Sequence, residues 1–107
     1  GDLLAPIVIR EPEEKVLVQG DTLDVSGWVR MLEEHSLLVE LVAADGRVVG
    51  SRLADVSPGP AGEHTSFVAE VPFQVDSPTW ARVTVSERGN QTDMPLHLDS
   101  IEVLLSP

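Results

Sequence analysis

The sequence predicts an all-β protein. Short runs rich in valine, leucine and threonine recur between turn signals along its 107 residues, and no segment keeps the 3.6-residue apolar period of an amphipathic helix. Eight of these runs are predicted to be strands. In chain order they are Ile7–Arg10, Val16–Gln19, Thr22–Val29, Leu37–Ala44, Arg47–Leu53, His64–Val75, Trp80–Glu87 and Leu98–Leu105.

The fourth and fifth predicted strands are joined by the clearest turn signal in the chain. Asp45 and Gly46 lie between two apolar runs, which is typical of a two-residue type I′ hairpin. These two strands should therefore pair directly. The segment VSPGPAGEH that follows contains two prolines and two glycines among its nine residues. Neither a strand nor a helix accommodates this composition. We expect it to carry the chain from one sheet to the other.

The sixth predicted strand, in TSFVAEVPFQV, has the most regular alternation. Five apolar residues occupy every second position, namely Phe67, Ala69, Val71, Phe73 and Val75, and this period of two is that of a strand. Pro72 interrupts the other face. Because proline has no N–H to donate to a ladder, Pro72 should lie at an edge, at a bulge or where pairing switches.

The number and spacing of these strands indicate the architecture. Seven or eight short antiparallel strands in about 100 residues, with one hairpin and longer crossovers, are typical of an immunoglobulin-like β-sandwich. A small closed barrel is the alternative. The length fits one domain over residues 1–107, with its core at about residues 7–105.

Composition argues against several classes of partner. Eighteen acidic and seven basic residues give a formal charge of −11, which repels nucleic acid and anionic lipid. No apolar run approaches the ~18 residues of a membrane-spanning helix, so direct membrane insertion is not expected. Calcium would have to use scattered carboxylates, of which the nearest sets are Glu11, Glu13 and Glu14 and the pair Glu33 and Glu34, and no loop of the DxDxDG type is present.

Residues with catalytic chemistry form no recognisable motif. The chain contains no cysteine, and its three histidines, His35, His64 and His97, lie in separate segments. Neither a nucleophile elbow nor a phosphate-binding loop appears. We therefore predict that the chain is not an enzyme and binds no cofactor or metal.

One strand carries a tryptophan on the face expected to meet water. In TWARVTVSE, Ala81, Val83 and Val85 point one way, so Trp80 and Arg82 point the other. We predict that the fourth, seventh and eighth strands are neighbours, with Arg82 between Glu40 and Glu102 in a cross-strand charge ladder. The resulting candidate protein-interaction face consists of Leu38, Val42, Trp80, Arg82 and Leu104.

This face has the aromatic, arginine and aliphatic composition that protein interfaces favour. Its partner would be a second copy of the chain or a neighbouring domain of the same protein. The alternative interpretation is that the charges only fix the strand register and that Trp80 covers Pro78 or a loop. Trp28 is predicted to lie in the other sheet, marking a bulge or covering the end of the core, so it should not form a sugar-binding platform with Trp80.

Four stretches resemble the immunoglobulin-like domain of bacterial spore germination. They are DTLDVSGWV, LLVELVAADGRVV, FVAEVPFQV and LDSIEVLL, and together they run over most of residues 7–105. The resemblance implies a non-enzymatic accessory domain outside the cytoplasm of a bacterium, at the cell surface or secreted, with a link to sporulation or germination.

Together these observations predict a non-catalytic module of a bacterial cell-envelope protein, which acts in protein–protein interaction or as a spacer. The alternative function is binding of carbohydrate or cell-wall glycan.

Overall fold

The computed structural model describes residues 7–30, 35–56, 65–88 and 95–107. Within these ranges the chain forms strands and turns and no helix. The eight strands are β1 (Ile7–Glu11), β2 (Leu17–Gln19), β3 (Thr22–Val29), β4 (His35–Ala43), β5 (Val48–Val56), β6 (Thr65–Pro72), β7 (Thr79–Arg88) and β8 (Pro95–Ser106). The prediction of eight strands is confirmed, and the bounds differ from those predicted by at most three residues.

The strands form two sheets. One has the order β1-β3-β6 and the other the order β2-β8-β7-β4-β5. Buried side chains from both sheets form one hydrophobic cluster between them, so the predicted immunoglobulin-like sandwich is confirmed. The predicted neighbours β4, β7 and β8 are adjacent, with β7 in the middle.

One strand pair departs from the predicted antiparallel arrangement. β2 pairs with β8 in parallel, with Leu17 opposite Leu104. β1 lies in the three-stranded sheet and β2 in the five-stranded sheet, and only residues 12–16 separate them. Because β1 and β2 share no hairpin, the short connection does not impose the antiparallel pairing that a hairpin would, and β2 reaches the free edge of β8 in parallel orientation.

The hairpin between β4 and β5 is confirmed, but the predicted turn type is wrong. The N–H of Gly46 donates to the carbonyl of Ala43 at 2.8 Å, and that of Ala43 donates to the carbonyl of Arg47 at 2.8 Å. Gly46 has φ 92°, whereas Asp45 is not among the residues with positive φ. A type I′ turn needs positive φ at both central residues, so this is a three-residue loop closed by a glycine bulge.

Pro72 ends β6 at the point where the chain changes sheets, as predicted. β6 is an edge strand of the three-stranded sheet, and the next residue, Phe73, forms a bridge with Gly50 of β5. The N–H of Gln74 then donates to the carbonyl of Val49 at 3.2 Å. Proline therefore terminates one ladder just before the chain joins the other.

The segment VSPGPAGEH joins strands of different sheets, since β5 belongs to the five-stranded sheet and β6 to the three-stranded one. The predicted crossover is confirmed by these flanking strands. Residues 57–64 themselves lie outside the described residues.

The core includes the residues that the alternation in the sixth and seventh strands predicted. All five alternating residues of TSFVAEVPFQV are buried, as are Ala81, Val83 and Val85 of β7. The buried residues described on β4 and β8 are Leu37, Val39, Leu41, Ala43, Val103 and Leu105, and Ile101 is partly buried. Each fully buried aliphatic side chain contributes about 1.5–3 kcal/mol of transfer free energy.

The chain runs from one end of the sandwich to the other. Ile7 lies beside Val29, at the end of β3, whereas Ser106 lies beside Gln19, three residues before β3 begins. The eight residues of β3 therefore separate these two points by roughly 25 Å. No helix among the described residues is long and apolar enough to cross a membrane.

Candidate functional site

An apolar row crosses the outward face of the five-stranded sheet at Trp80. Trp80 pairs with Leu104 of β8, and Leu104 pairs in turn with Leu17 of β2. On the other side of Trp80 is Ala44, whose N–H donates to the carbonyl of Trp80 at 3.0 Å. Trp80 is 45% exposed and Leu17 57%, so large apolar surface in this row meets solvent.

The next row along the same face contains the guanidinium of Arg82. Arg82 pairs with Glu102 on β8 and with Val42 on β4, and Val42 pairs with the exposed Val48 of β5. The Arg82 Nη1 donates a hydrogen bond to the Ser100 hydroxyl at 3.0 Å. The charged pair is thus bordered by apolar side chains along this row and the Trp80 row.

The predicted charge ladder is half correct. Glu102 lies beside Arg82 as predicted. Glu40, however, lies opposite Thr84, two residues further along β7. A slip of two residues between antiparallel strands leaves every side chain on the same face. The alternation that identified the face therefore could not distinguish these two registers, and the inferred register was wrong by two residues.

Leu38 lies away from the other residues of the predicted face. It pairs with Ser86 on β7 and with Leu53 on β5, four residues along β4 from Val42, which is about 13 Å. The polar row of Glu40 and Thr84 lies between them. The structure therefore brings together Val42, Trp80, Arg82 and Leu104, and places Leu38 on the same face but in a separate apolar group.

Sequence reasoning missed two members of the cluster. Leu17 joins it through the parallel pairing of β2 with β8, and Val48 joins it because β5 has a bulge at Val49, between Val48 and Gly50, that puts Val48 opposite Val42. Neither the parallel pairing nor the bulge leaves a pattern in the sequence. We use the name Trp80 cluster for Leu17, Val42, Val48, Trp80 and Leu104, with Arg82 and Glu102 between them.

A shallow depression lies within this cluster. It encloses about 330 Å³ and is lined by residues of both rows, including Ala43, Ala44, Trp80, Arg82 and Glu102. Ala44, whose side chain is small, is one of these lining residues and lies beside Trp80. Such a site offers an aromatic surface, one cation and one carboxylate, which suits the docking of side chains from another protein.

Trp28 occupies the outward face of the opposite sheet, so the prediction that the two tryptophans lie in different sheets is confirmed. It is 38% exposed, and the Arg10 guanidinium carbon lies 5.7 Å from the centroid of its ring. The predicted bulge is on the adjacent strand, where the register of β1 shifts between Ile9 and Glu11. Trp28 therefore does not cover the end of the core; it stacks under a cation on the sheet surface.

The described residues contain no group of three or more histidine, aspartate or glutamate side chains placed to hold a metal ion. Of the carboxylates considered for calcium, Glu11, Glu13 and Glu14 are exposed. Glu33, Glu34 and His64 lie outside the described residues, as do the side chains of His35 and His97.

Comparison with known proteins identifies the fold. No family model matches the chain, and no curated protein sequence matches it. A beta-glucuronidase from glycoside hydrolase family 2 aligns with 90% of this chain at a TM-score of 0.62 and 12% identity. Two structures described as family 2 glycoside hydrolase members from Bacteroides cellulosilyticus each align with 91% of it, at TM-scores of 0.63 and 0.60 and 13% identity. This chain spans only 10–14% of their lengths, so the likeness is one of fold.

Proposed function

We propose that this chain is a non-catalytic accessory module of a bacterial extracytoplasmic protein, and that it binds protein through the Trp80 cluster while acting as a spacer. The observation that carries the proposal is the exposed cluster itself. Trp80 and Leu17 are about half exposed, and they flank Leu104 in one row beside the Arg82–Glu102 pair. Aromatic and arginine side chains amid aliphatic ones are enriched where proteins bind each other.

The spacer role is supported by the path of the chain. The first and last described strands place Ile7 and Ser106 at opposite ends of the sandwich, whose long axis measures 44 Å. Segments attached at these two ends would be held apart by the length of the domain. The small share of the family 2 glycoside hydrolases that aligns, 10–14%, supports a module that occurs within longer chains.

The bacterial, extracytoplasmic setting, with its link to sporulation or germination, is supported by the four sequence stretches that resemble the spore germination domain. Digestion of intact cells with an added protease tests it. A cell-envelope protein loses this domain under treatment that leaves a cytoplasmic marker whole, whereas survival of the domain until lysis contradicts the location.

A carbohydrate-binding module is the second candidate, because the similar solved structures are described as glycoside hydrolases. The two tryptophans lie on opposite faces, so a glycan would contact one of them at a time. Titration of tryptophan fluorescence separates the two functions. We expect no saturable change with soluble cell-wall glycan fragments and no hydrolysis of aryl glycosides by the chain.

Saturable quenching in the Trp28→Phe variant, in which Trp80 is the remaining tryptophan, would overturn the protein-binding role of the Trp80 cluster in favour of glycan binding. Saturable quenching in Trp80→Phe alone would instead place a glycan site at Trp28 and Arg10. Turnover of a glycoside that persists in repeated preparations would contradict the non-catalytic assignment.

A further inference from the structure

The geometry points to a second copy of this chain as the occupant of the Trp80 cluster, in a face-to-face dimer whose two-fold axis runs between β7 and β8. This inference rests on the proposed function and names its partner. It is argued from the pairing of residues across these two strands, from the charge of the face and from its area.

Each outward pair across β7 and β8 joins complementary side chains. Trp80 lies beside Leu104, Arg82 beside Glu102, and Thr84 beside Ser100. A two-fold axis parallel to the strands and midway between them exchanges β7 of one copy with β8 of the other. It therefore places Trp80 over Leu104 of the second copy and Arg82 over Glu102 of the second copy. The surface is complementary to itself, which an isologous interface requires.

Further from the centre, the same axis places a large side chain over a small one. Leu17 lies beyond Leu104, and Ala44 lies beyond Trp80, in the same row. The axis places the exposed Leu17 of the second copy over Ala44, whose side chain is small and which is among the residues that line the depression of about 330 Å³. Facing sheets cross at about 30°, so the match is best for the pairs nearest the axis.

The charge of this face is low enough for two copies of the chain to associate through it. The chain carries a net charge of −11, and two copies repel each other over most of their surfaces. In the rows from Trp80 to Thr84, the charged side chains on the outward strand positions are Arg82, Glu40 and Glu102. With one positive and two negative groups, this face carries little of the excess charge.

The face is large enough for a stable dimer. Its five strands, spaced by about 4.8 Å, span roughly 24 Å, and the ten residues of β7 extend for about 34 Å. The product, about 800 Å², is an upper limit for the area of the face, because β2 has only three residues, and it is comparable to the area that each partner buries in a standard protein interface.

Charge reversal at the central pair tests the dimer by sedimentation equilibrium. Arg82→Glu places two carboxylates against each other across the axis, and Glu102→Arg places two cations there. We expect the parent chain to dimerise and each variant alone to dissociate at least about tenfold more readily, since facing like charges are strongly unfavourable. Circular dichroism checks that both variants are folded.

The decisive sample is an equimolar mixture of the two variants. In a mixed dimer, both central contacts pair a carboxylate with a guanidinium, so we expect the mixture to recover the mass of a dimer. An effect confined to one chain cannot produce this recovery. A change in net charge would not produce it either. Each substitution reverses one charge, so the Arg82→Glu variant carries −13 and the Glu102→Arg variant carries −9, compared with −11 for the parent chain.

Glu70→Arg is the matched control. Glu70 is exposed on β6, in the other sheet, and the substitution makes the same change in net charge as Glu102→Arg. We expect this variant to dimerise like the parent and to form no preferential dimer with Arg82→Glu.

A parent chain that stays monomeric at all concentrations overturns the second copy as the occupant. So does a mixture that remains monomeric, or a Glu70→Arg variant that rescues Arg82→Glu equally well. None of these results bears on the glycan and turnover measurements that test the proposed function, so the two failures are distinguishable.

Discussion

At the scale of single residues, Gly27 permits a close approach between β1 and β3. It is buried on β3, and a Cβ built there overlaps the carbonyl oxygen of Val8 and lies 3.1 Å from the Cα of Ile9. The register of β1 shifts immediately after Ile9, so the bulge and the glycine occur together. Both neighbours are backbone atoms and cannot rotate away.

The first prediction concerns this contact. Gly27→Ala should lower the free energy of unfolding by about 1–3 kcal/mol, because β1 must move away from β3 to accommodate the methyl group. Urea denaturation measures the change. Ser66→Ala, at an exposed position two strands across from β1, should change it by less than about 0.5 kcal/mol. An unchanged midpoint for Gly27→Ala would contradict the close approach.

The second prediction compares two leucines on paired strands. Leu41 of β4 is fully buried, whereas Leu53 of β5 is 64% exposed. Leu41→Ala should cost about 2–5 kcal/mol of stability, through lost burial and the cavity left behind. Leu53→Ala should cost less than about 0.5 kcal/mol. Equal losses in urea denaturation would show that Leu53 is covered in solution.

These residue-scale features differ in how far the sequence predicts them. Alternation alone identified Val83 and Phe67 as buried, because a strand with one face in the core must alternate. It could not identify the role of Gly27, which depends on a bulge in a neighbouring strand. Nor could it identify Leu17 as part of the Trp80 cluster, since a strand of three residues is too short to show a period.

At the scale of elements, strands were predictable and their registers were not. The bounds of β3 were predicted without error, and the turn chemistry of Asp45 and Gly46 correctly predicted the pairing of β4 with β5. By contrast, Glu40 was placed opposite Arg82 but lies opposite Thr84. Parity fixes which face a side chain occupies, and only long-range packing fixes which neighbour it meets.

The third prediction tests this register with paired cysteines, which the parent chain lacks. Glu40→Cys with Thr84→Cys should form a disulfide under mild oxidation, because directly opposite residues lie within the 4.4–6.8 Å between Cα atoms that a disulfide spans. Glu40→Cys with Arg82→Cys is a diagonal pair and should oxidise far less. Mass spectrometry distinguishes them, and preferential bridging of the diagonal pair would restore the register predicted from sequence.

At the scale of the whole molecule, the strand order determines where the chain enters and leaves the sandwich. Because β2 runs parallel to β8 and β1 pairs with the far end of β3, residues 7 and 106 lie at opposite ends. The sequence predicted the sandwich but not this path, because the crossing between β1 and β2 and the parallel pairing of β2 carry no distinct signal. The proposed spacer role depends on this path.

The fourth prediction measures the separation of the two ends. Spin labels on Val8→Cys and Pro107→Cys should lie about 25–40 Å apart by pulsed electron paramagnetic resonance, since most of the length of β3 separates them. Labels on Gln19→Cys and Pro107→Cys should lie much closer, because Gln19 is opposite Ser106, the residue before Pro107. Two similar short distances would contradict the end-to-end path and the spacer role.

The central claim, that the Trp80 cluster contacts protein, is tested most directly by photo-crosslinking in the cells that make this protein. A benzophenone amino acid replaces Trp80 in one strain and Val68 in another. Val68 is the matched control, because it is 72% exposed and lies on the outward face of the other sheet. We predict that irradiation links position 80 to a peptide identifiable by mass spectrometry, from a second copy, a neighbouring domain or another protein, whereas position 68 stays unlinked. Equal labelling from both positions, or none from position 80, would contradict the claim.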